Sequence, residues 1–256
     1  MDCVSLEFPS GVRALDGVSL GIRKGQFVAI VGPSGCGKST LLRLAAGLLE
    51  PSQGTVTLDG QPPALARSQS QRLSFVFQDP TLLPWRSVRD NVRLPLELLG
   101  SRARTEGVAA EAVRPQLERA LASVGLAEFG GRLPRQLSGG MRMRASLARA
   151  LVVQPDLMLL DEPFAALDDL ARERLNEELH QLWQQHRWTA LFVTHNISEA
   201  ALLAERILVL SPRPGRVVAD VAVPFAASER TSALRGTARF AEFAASVAAR
   251  AREAAA

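Results

Sequence analysis

An α/β fold, with a mostly parallel sheet flanked by helices, is predicted by three features. Short apolar runs bounded by glycines alternate with helix-like stretches, as in sheets whose strands are covered on both faces. One run feeds a glycine-rich loop that opens a helix. Another ends in two adjacent acids, at the strand edge where open α/β sheets take their ligands.

Size and charge set the bounds. With 256 residues, 47% of them hydrophobic and 22% charged, the chain has globular composition. A chain of this length buries roughly 70–75% of its unfolded surface and needs no disulfide or metal staple. Two cysteines, Cys3 and Cys36, make no disulfide scaffold and favour a reducing compartment. No apolar run approaches a membrane span, and the acid-bearing N-terminus lacks the apolar core of a signal peptide. The net charge is +4, and Lys24 and Lys38 are the only lysines among 30 basic residues. Arginines interleave with acids from Arg172 to Glu178 and no block of like charge occurs, so a solvated face is favoured over a nucleic-acid or lipid surface.

Along the chain, Val18, Leu20 and Ile22 alternate with Ser19, Gly21 and Arg23, which predicts a half-buried strand. After the Lys24-Gly25 turn, Gln26 to Val31 predicts a buried parallel strand. Thr55 to Asp59 and Gln71 to Gln78 predict two more. From Leu82 to Leu137 the pattern turns helical, punctuated by Pro84, Pro95, Pro115 and Pro134, and reads as an inserted α-helical lobe. Pro115 is expected to open a helix carrying Leu117, Leu121 and Val124, since proline suits a first turn. Strands follow at Leu157 to Leu160, Ala190 to Thr194 and Ile207 to Leu210, with a helix over Asp169 to His186. In the alanine- and arginine-rich tail from Ala226, Phe240, Phe243 and Val247 recur at helical spacing and predict a packed terminal helix.

Gly32-Pro-Ser-Gly-Cys-Gly-Lys-Ser-Thr40 fits G-x-x-x-x-G-K-[ST] between a strand and a helix, the context a phosphate loop requires. Gly35 and Gly37 let successive amides turn inward onto phosphate oxygens, and the helix that follows adds its positive end. Lys38 is placed to neutralise β/γ-phosphate charge and Ser39 to offer a hydroxyl to Mg²⁺. In a chain nearly emptied of lysine, a compact ammonium at this position is informative. Cys36 reads as a small filler rather than a redox switch. Asp161, after Leu157-Met-Leu-Leu160, is placed to hold Mg²⁺, and Glu162 to polarise an attacking water.

With Leu137-Ser138-Gly139-Gly140-Met141 added, the chain resembles the ATP-binding-cassette (ABC) ATPases, and the order of motifs is theirs. That order is phosphate loop, Gln78, signature, Asp161-Glu162, Ala166-Leu167-Asp168, His195. The resemblance covers almost the whole chain. It implies a P-loop NTPase core with an N-terminal antiparallel β subdomain and the helical lobe at about 82–138. It further implies a nucleotide-binding domain over 1–225 and a helical tail over 226–256. ATP and Mg²⁺ are the implied cofactors. By this resemblance Gln78 contacts Mg²⁺ and the attacking water, and His195 contacts the γ-phosphate. His180 and His186, on the expected helix, read as solvated. Phe8 aligns with the aromatic that stacks on adenine, a core phenylalanine being the alternative. Ser138, Gly139 and Gly140 would meet the nucleotide of a second ATPase subunit, with Asp168 near that contact. Met141 replaces the commoner glutamine and Ala165 a frequent glycine; neither removes a phosphate ligand.

Gln78-Asp-Pro-Thr-Leu-Leu-Pro-Trp85, Asp161-Glu-Pro-Phe164 and Ser211-Pro-Arg-Pro-Gly215 resemble the nitrate/sulfonate/taurine-type importers. There the ATPase lies on the cytoplasmic face of the bacterial inner membrane, beneath two transmembrane permease subunits that an extracytoplasmic solute-binding protein supplies. Leu82, Leu83, Pro84 and Trp85 would suit docking of a permease helix; Trp85 packed between lobe and sheet is the alternative. A soluble ABC ATPase acting on nucleic acid and an exporter cassette are the competing functions.

Overall fold

The computed structural model describes residues 1–69, 72–103 and 110–254. The chain opens with β1 (Asp2–Glu7), β2 (Arg13–Val18) and β3 (Phe27–Val31), then α1 (Lys38–Ala45), β4 (Gln53–Thr55), α2 (Pro63–Gln69) and β5 (Leu73–Val76). Helices α3 (Val88–Ala103), α4 (Ala110–Ser123) and α5 (Gly139–Leu151) follow. Then come β6 (Leu157–Asp161), α6 (Asp169–His186), β7 (Thr189–Val193), α7 (Ile197–Leu203), β8 (Arg206–Leu210) and β9 (Val217–Ala222). Helices α8 (Ser232–Arg235) and α9 (Ala238–Glu253) close it.

The large sheet has the order β5-β6-β7-β3-β8-β9. Its first five strands are parallel and β9 is antiparallel to β8. Every residue of β3 is buried because the sheet is covered twice: Phe27, Ala29 and Val31 face one apolar cluster, Val28 and Ile30 the other. That is why its sequence shows a solid apolar run instead of alternation. Trp183 of α6 is fully buried and meets Phe27 edge-on at 5.7 Å between ring centroids.

Register decides what stands together at the carboxyl edge. Val76 lies opposite Leu160, Asp161 opposite Val193, and Ile30 opposite Val193. The residues that follow these strands, Gln78, Glu162, Thr194-His195 and Gly32, therefore leave the sheet from one edge.

A three-stranded antiparallel sheet, β2-β1-β4, covers the N-terminal side, as the resemblance implied. The strand expected over Val18 to Ile22 is displaced: β2 ends at Val18. Leu20 instead exchanges backbone hydrogen bonds with Met1, both at 3.0 Å, and Leu20 and Ile22 pack on the second apolar cluster. The alternation thus marks an extended packed segment rather than a ladder. Strand β1 alternates in sequence, Val4 and Leu6 with Ser5 and Glu7, but register shifts within its pairing leave Val4, Ser5 and Leu6 all buried.

In the segment expected to be helical, α4 runs through Pro115 instead of starting at it. Leu117, Ala120, Leu121 and Val124 are buried, and that packing carries a helix whose interior lacks one N–H donor. His180 is not solvated as expected. It is buried beside Trp183, its Nε2 lies 2.9 Å from the Ala227 carbonyl oxygen, and desolvation pushes its pKa down. His186 is exposed and stacks on Trp188.

The tail helix α9 packs on α7, β8 and β9 with Phe240 and Val247 buried in the main core. Phe240→Ala is expected to lower the free energy of urea unfolding by about 3 kcal/mol. Unchanged stability would show that the tail is not part of the cooperative fold.

Candidate nucleotide site

Strand β3 delivers the chain into Gly32, and α1 starts at Lys38. Gly37 caps that helix at φ 106°, a backbone setting side chains rarely adopt. A Cβ there would also stand 2.7 Å from a methyl of Leu15 and 2.9 Å from the Ala14 carbonyl oxygen. Lys38 is only 5% exposed, and its ammonium donates to the carbonyls of Gly32 (2.9 Å) and Pro33 (3.0 Å). The loop thereby curls around its own lysine. Cys36 is buried behind it, and burial raises its thiol pKa, the opposite of a reactive thiolate.

Facing the loop, Ser39 donates its hydroxyl hydrogen bond to Asp161 Oδ1 at 2.8 Å. Burial raises the Asp161 carboxyl pKa, opposed by the Ser39 bond; Glu162 adds to the rise, while Arg43 and Lys38 oppose it. Glu162 has φ 44°, left-handed backbone that costs a non-glycine residue about 1 kcal/mol or more. Its amide donates to the Val193 carbonyl at 3.0 Å, which ties the turn to β7. The carboxylate then stands 3.8 Å from Lys38 Nζ and 2.9 Å from His195 Nδ1.

A cavity of about 600 Å³ gathers Phe8, Ser34, Gly35, Gly37, Lys38, Ser39, Thr40, Gln78, Asp161 and Glu162. Ser10, Val12, Ala14 and Arg213 complete its wall. Of the other expected residues, Gly32, Pro33 and Cys36 do not line it: Gly32 and Pro33 hold the Lys38 ammonium through their carbonyls, and Cys36 is buried. His195 is tethered to Glu162 from outside the lining. Phe8 is half-buried, lines the cavity and also packs on the second apolar cluster, so its two readings are compatible.

Ser138, Gly139, Gly140 and Asp168 do not line this cavity. Ser138 caps α5 by accepting from the Met141 amide (3.2 Å), and Asp168 caps α6 by accepting from the Ala171 amide (2.9 Å). The two caps are neighbours: a Cβ on Gly139 would come within 3.8 Å of Leu167, and one on Gly140 within 3.9 Å of Ala171. Ser138, Gly139 and Asp168 are exposed.

Sequence reasoning missed the scaffold of the switch loop. Thr194 donates to Glu199 Oε2 (2.6 Å), and Arg172 lies 3.6 Å from Glu199 while donating to the carbonyls of Leu167 (2.7 Å) and Phe164 (3.3 Å). Glu199 is buried, which no local pattern announces. Arg213 was also missed as a lining residue, although its motif was conspicuous.

A phosphate loop on a parallel sheet, with a strand-end acid pair at its mouth, defines a nucleotide-hydrolysing P-loop protein. Residues 15–165 match the family described as "ABC transporter". The Rhizobium johnstonii taurine import ATP-binding protein is 46% identical over 235 residues, 90% of this chain and 86% of the relative. The Burkholderia cenocepacia aliphatic sulfonates import ATP-binding protein is 46% identical over 212 residues (83% and 73%). The Synechococcus elongatus nitrate import ATP-binding protein is 40% identical over 228 residues (88% and 80%). A dimeric ATP-binding cassette, solved in a post-hydrolysis state with ADP and phosphate, superposes with a TM-score of 0.75 at 31% identity. That match covers 88% of this chain and 98% of that one. The chain belongs to the ABC transporter family, and it is an ATP-binding, ATP-hydrolysing cassette.

Asp161 gives a direct test of the site's electrostatics. In the folded chain its acid form is favoured, so stability falls as pH rises from the ordinary carboxylate value towards the raised one. Asp161→Asn keeps an acceptor for Ser39 without the buried charge. At neutral pH it is expected to raise the ligand-free Tm by about 2 °C while abolishing ATP hydrolysis; a lowered Tm would refute this account of the carboxyl.

Proposed function

We propose that this cassette is the energy-coupling subunit of an importer for a small anionic or zwitterionic solute, of the nitrate, sulfonate or taurine kind. The similarity to import ATP-binding proteins of those three kinds supports the reading, as do the Gln78 to Trp85 and Ser211 to Gly215 segments. In this reading residues 1–225 form the cassette, with a helical lobe at about 82–138, and 226–256 form an appended tail.

The nucleotide lies with its base towards Phe8 and its phosphates on the amides of Gly35, Gly37, Lys38, Ser39 and Thr40. Lys38 releases its two loop carbonyls to meet phosphate oxygens. The Ser39 hydroxyl and the Asp161 carboxylate, already in contact, and Gln78 in the same wall offer hard oxygen donors that suit Mg²⁺. Bound there, Mg²⁺ would neutralise charge on the β- and γ-phosphates. Glu162 orients the attacking water and takes up its proton, and His195, held on that carboxylate, faces the γ-phosphate.

One observation carries the mode of action. The exposed start of α5, with Ser138, Gly139 and Gly140, lies outside the cavity that holds Lys38. A free helix start offers unpaired amides to an anion. One chain therefore has two half-sites that a second, head-to-tail copy completes, with two ATP molecules between them and Asp168 at the contact. Glu162→Gln with ATP and Mg²⁺ is expected to sediment at twice the monomer mass, and a monomer at high concentration would overturn the reading.

The complex would place the cassette on the cytoplasmic face of the inner membrane, held by two transmembrane permease subunits that receive solute from an extracytoplasmic binding protein. No helix among the described residues is long and apolar enough to cross a membrane. Trp85 is 73% exposed, which favours docking over burial between lobe and sheet. Trp85→Ala is expected to cut recovery of permease with the cassette from detergent about tenfold while nucleotide affinity stays native. Undiminished recovery would remove Trp85 from the contact.

A further inference from the structure

The Ser211-Pro-Arg-Pro-Gly215 segment joins β8 to β9, and nothing in the mechanism above uses it. Its backbone is locked between β2 and the phosphate loop. Gly215 donates to the Ala14 carbonyl (2.9 Å) and accepts from the Asp16 amide (3.0 Å), while Arg216 pairs with Asp16. A Cβ on Gly215 would stand 2.1 Å from the Cys36 carbonyl oxygen, so only glycine permits this approach. Ser211 closes the segment on itself, accepting from the Arg216 amide and donating to the Pro214 carbonyl.

Arg213 is the residue this locked segment holds over the cavity. Its Nε donates to the Gly35 carbonyl at 3.1 Å, and its Nη2 lies 3.2 Å from the position a Cβ on Gly35 would take. It lines the same cavity as Lys38 and Asp161 and is exposed. Among the described residues no carboxylate lies within ion-pair distance of it. The charged groups in the wall are Lys38, Arg213, Asp161 and Glu162, two of each sign. A polyphosphate entering there meets no excess of positive charge, and the Lys38 ammonium already serves two carbonyls. The guanidinium is the cation in that wall with donors to spare, in a planar fork that matches phosphate oxygens.

We propose that Arg213 is a phosphate-binding residue of this nucleotide site. The proposal rests on the nucleotide reading of the cavity and adds a contact from outside the phosphate loop. Held by Nε on Gly35, the side chain turns its terminal nitrogens to the nucleotide's phosphates, so the β8–β9 loop and the phosphate loop grip the same anion.

Calorimetric titration of the full chain with ADP and with a non-hydrolysable ATP analogue, both with Mg²⁺, tests this. Arg213→Gln is expected to weaken both about tenfold, with part of the loss recovered in Arg213→Lys. The deficit should shrink as salt is raised, because the lost contact is between charges. The ligand-free Tm of Arg213→Gln should match the native chain. Lys38→Ala is the control. Native affinity in Arg213→Gln, with binding lost in Lys38→Ala, overturns the proposal and leaves the nucleotide reading intact. Native affinity in both overturns the nucleotide reading itself. A weakened affinity that ignores salt and comes with a lowered Tm makes Arg213 a brace for the loop and also overturns the proposal.

Discussion

The hydrogen bond from Ser39 to Asp161 joins two residues 122 positions apart, and the geometry of the site hangs from it. One partner sits in the first turn of α1, the other at the last position of β6. Between them the chain makes β4, α2, β5 and the helices α3, α4 and α5, and all of that must close before the two oxygens can meet. The parallel register supplies the closure: with Asp161 opposite Val193 and Val193 opposite Ile30, the ends of β6, β7 and β3 are level. Burial burdens the Asp161 carboxyl, and the serine hydroxyl relieves part of that burden. The result is a donor set held close together and partly desolvated, which is the state a hard cation stabilises.

Local strain follows from the same alignment. Strand β6 must stop at Asp161 while the next residue turns its carboxylate towards Lys38 and His195. Glu162 achieves this in left-handed backbone, held by the Val193 carbonyl. A residue with no steric licence for that conformation persists because the neighbouring strand over-determines it. The small antiparallel sheet contributes the opposite wall, with Phe8 beyond β1 and Val12 and Ala14 at β2.

How much of this could be read from the sequence depended on how local the cause was. The phosphate loop, the acid pair and the ends of β3, β6 and β7 were legible because each is a contiguous run, whereas the strand expected over Thr55 to Asp59 is β4, which ends at Thr55. Helix α6 was legible to the residue, Asp169 to His186, since its cap, Asp168, and its body form one contiguous run. Strand β2 was misplaced because an extended segment packed beside Met1 shows the same alternation as a ladder. Pro115 misled because tertiary packing of Leu117 and Leu121 outweighs a missing donor. His180 and Glu199 are buried by partners 47 and 5 residues away, His180 against the start of the tail, and no periodicity encodes that. The parting of the α5 cap from the Lys38 cavity is likewise a property of the whole sheet order.

Helix α9 rests on α7, and α7 begins at Ile197, two residues after His195, with Asn196 as its cap. The last described helix therefore leans on the element that directly follows the histidine. A pull on α9 would reach the turn that carries the histidine through one helix of seven residues.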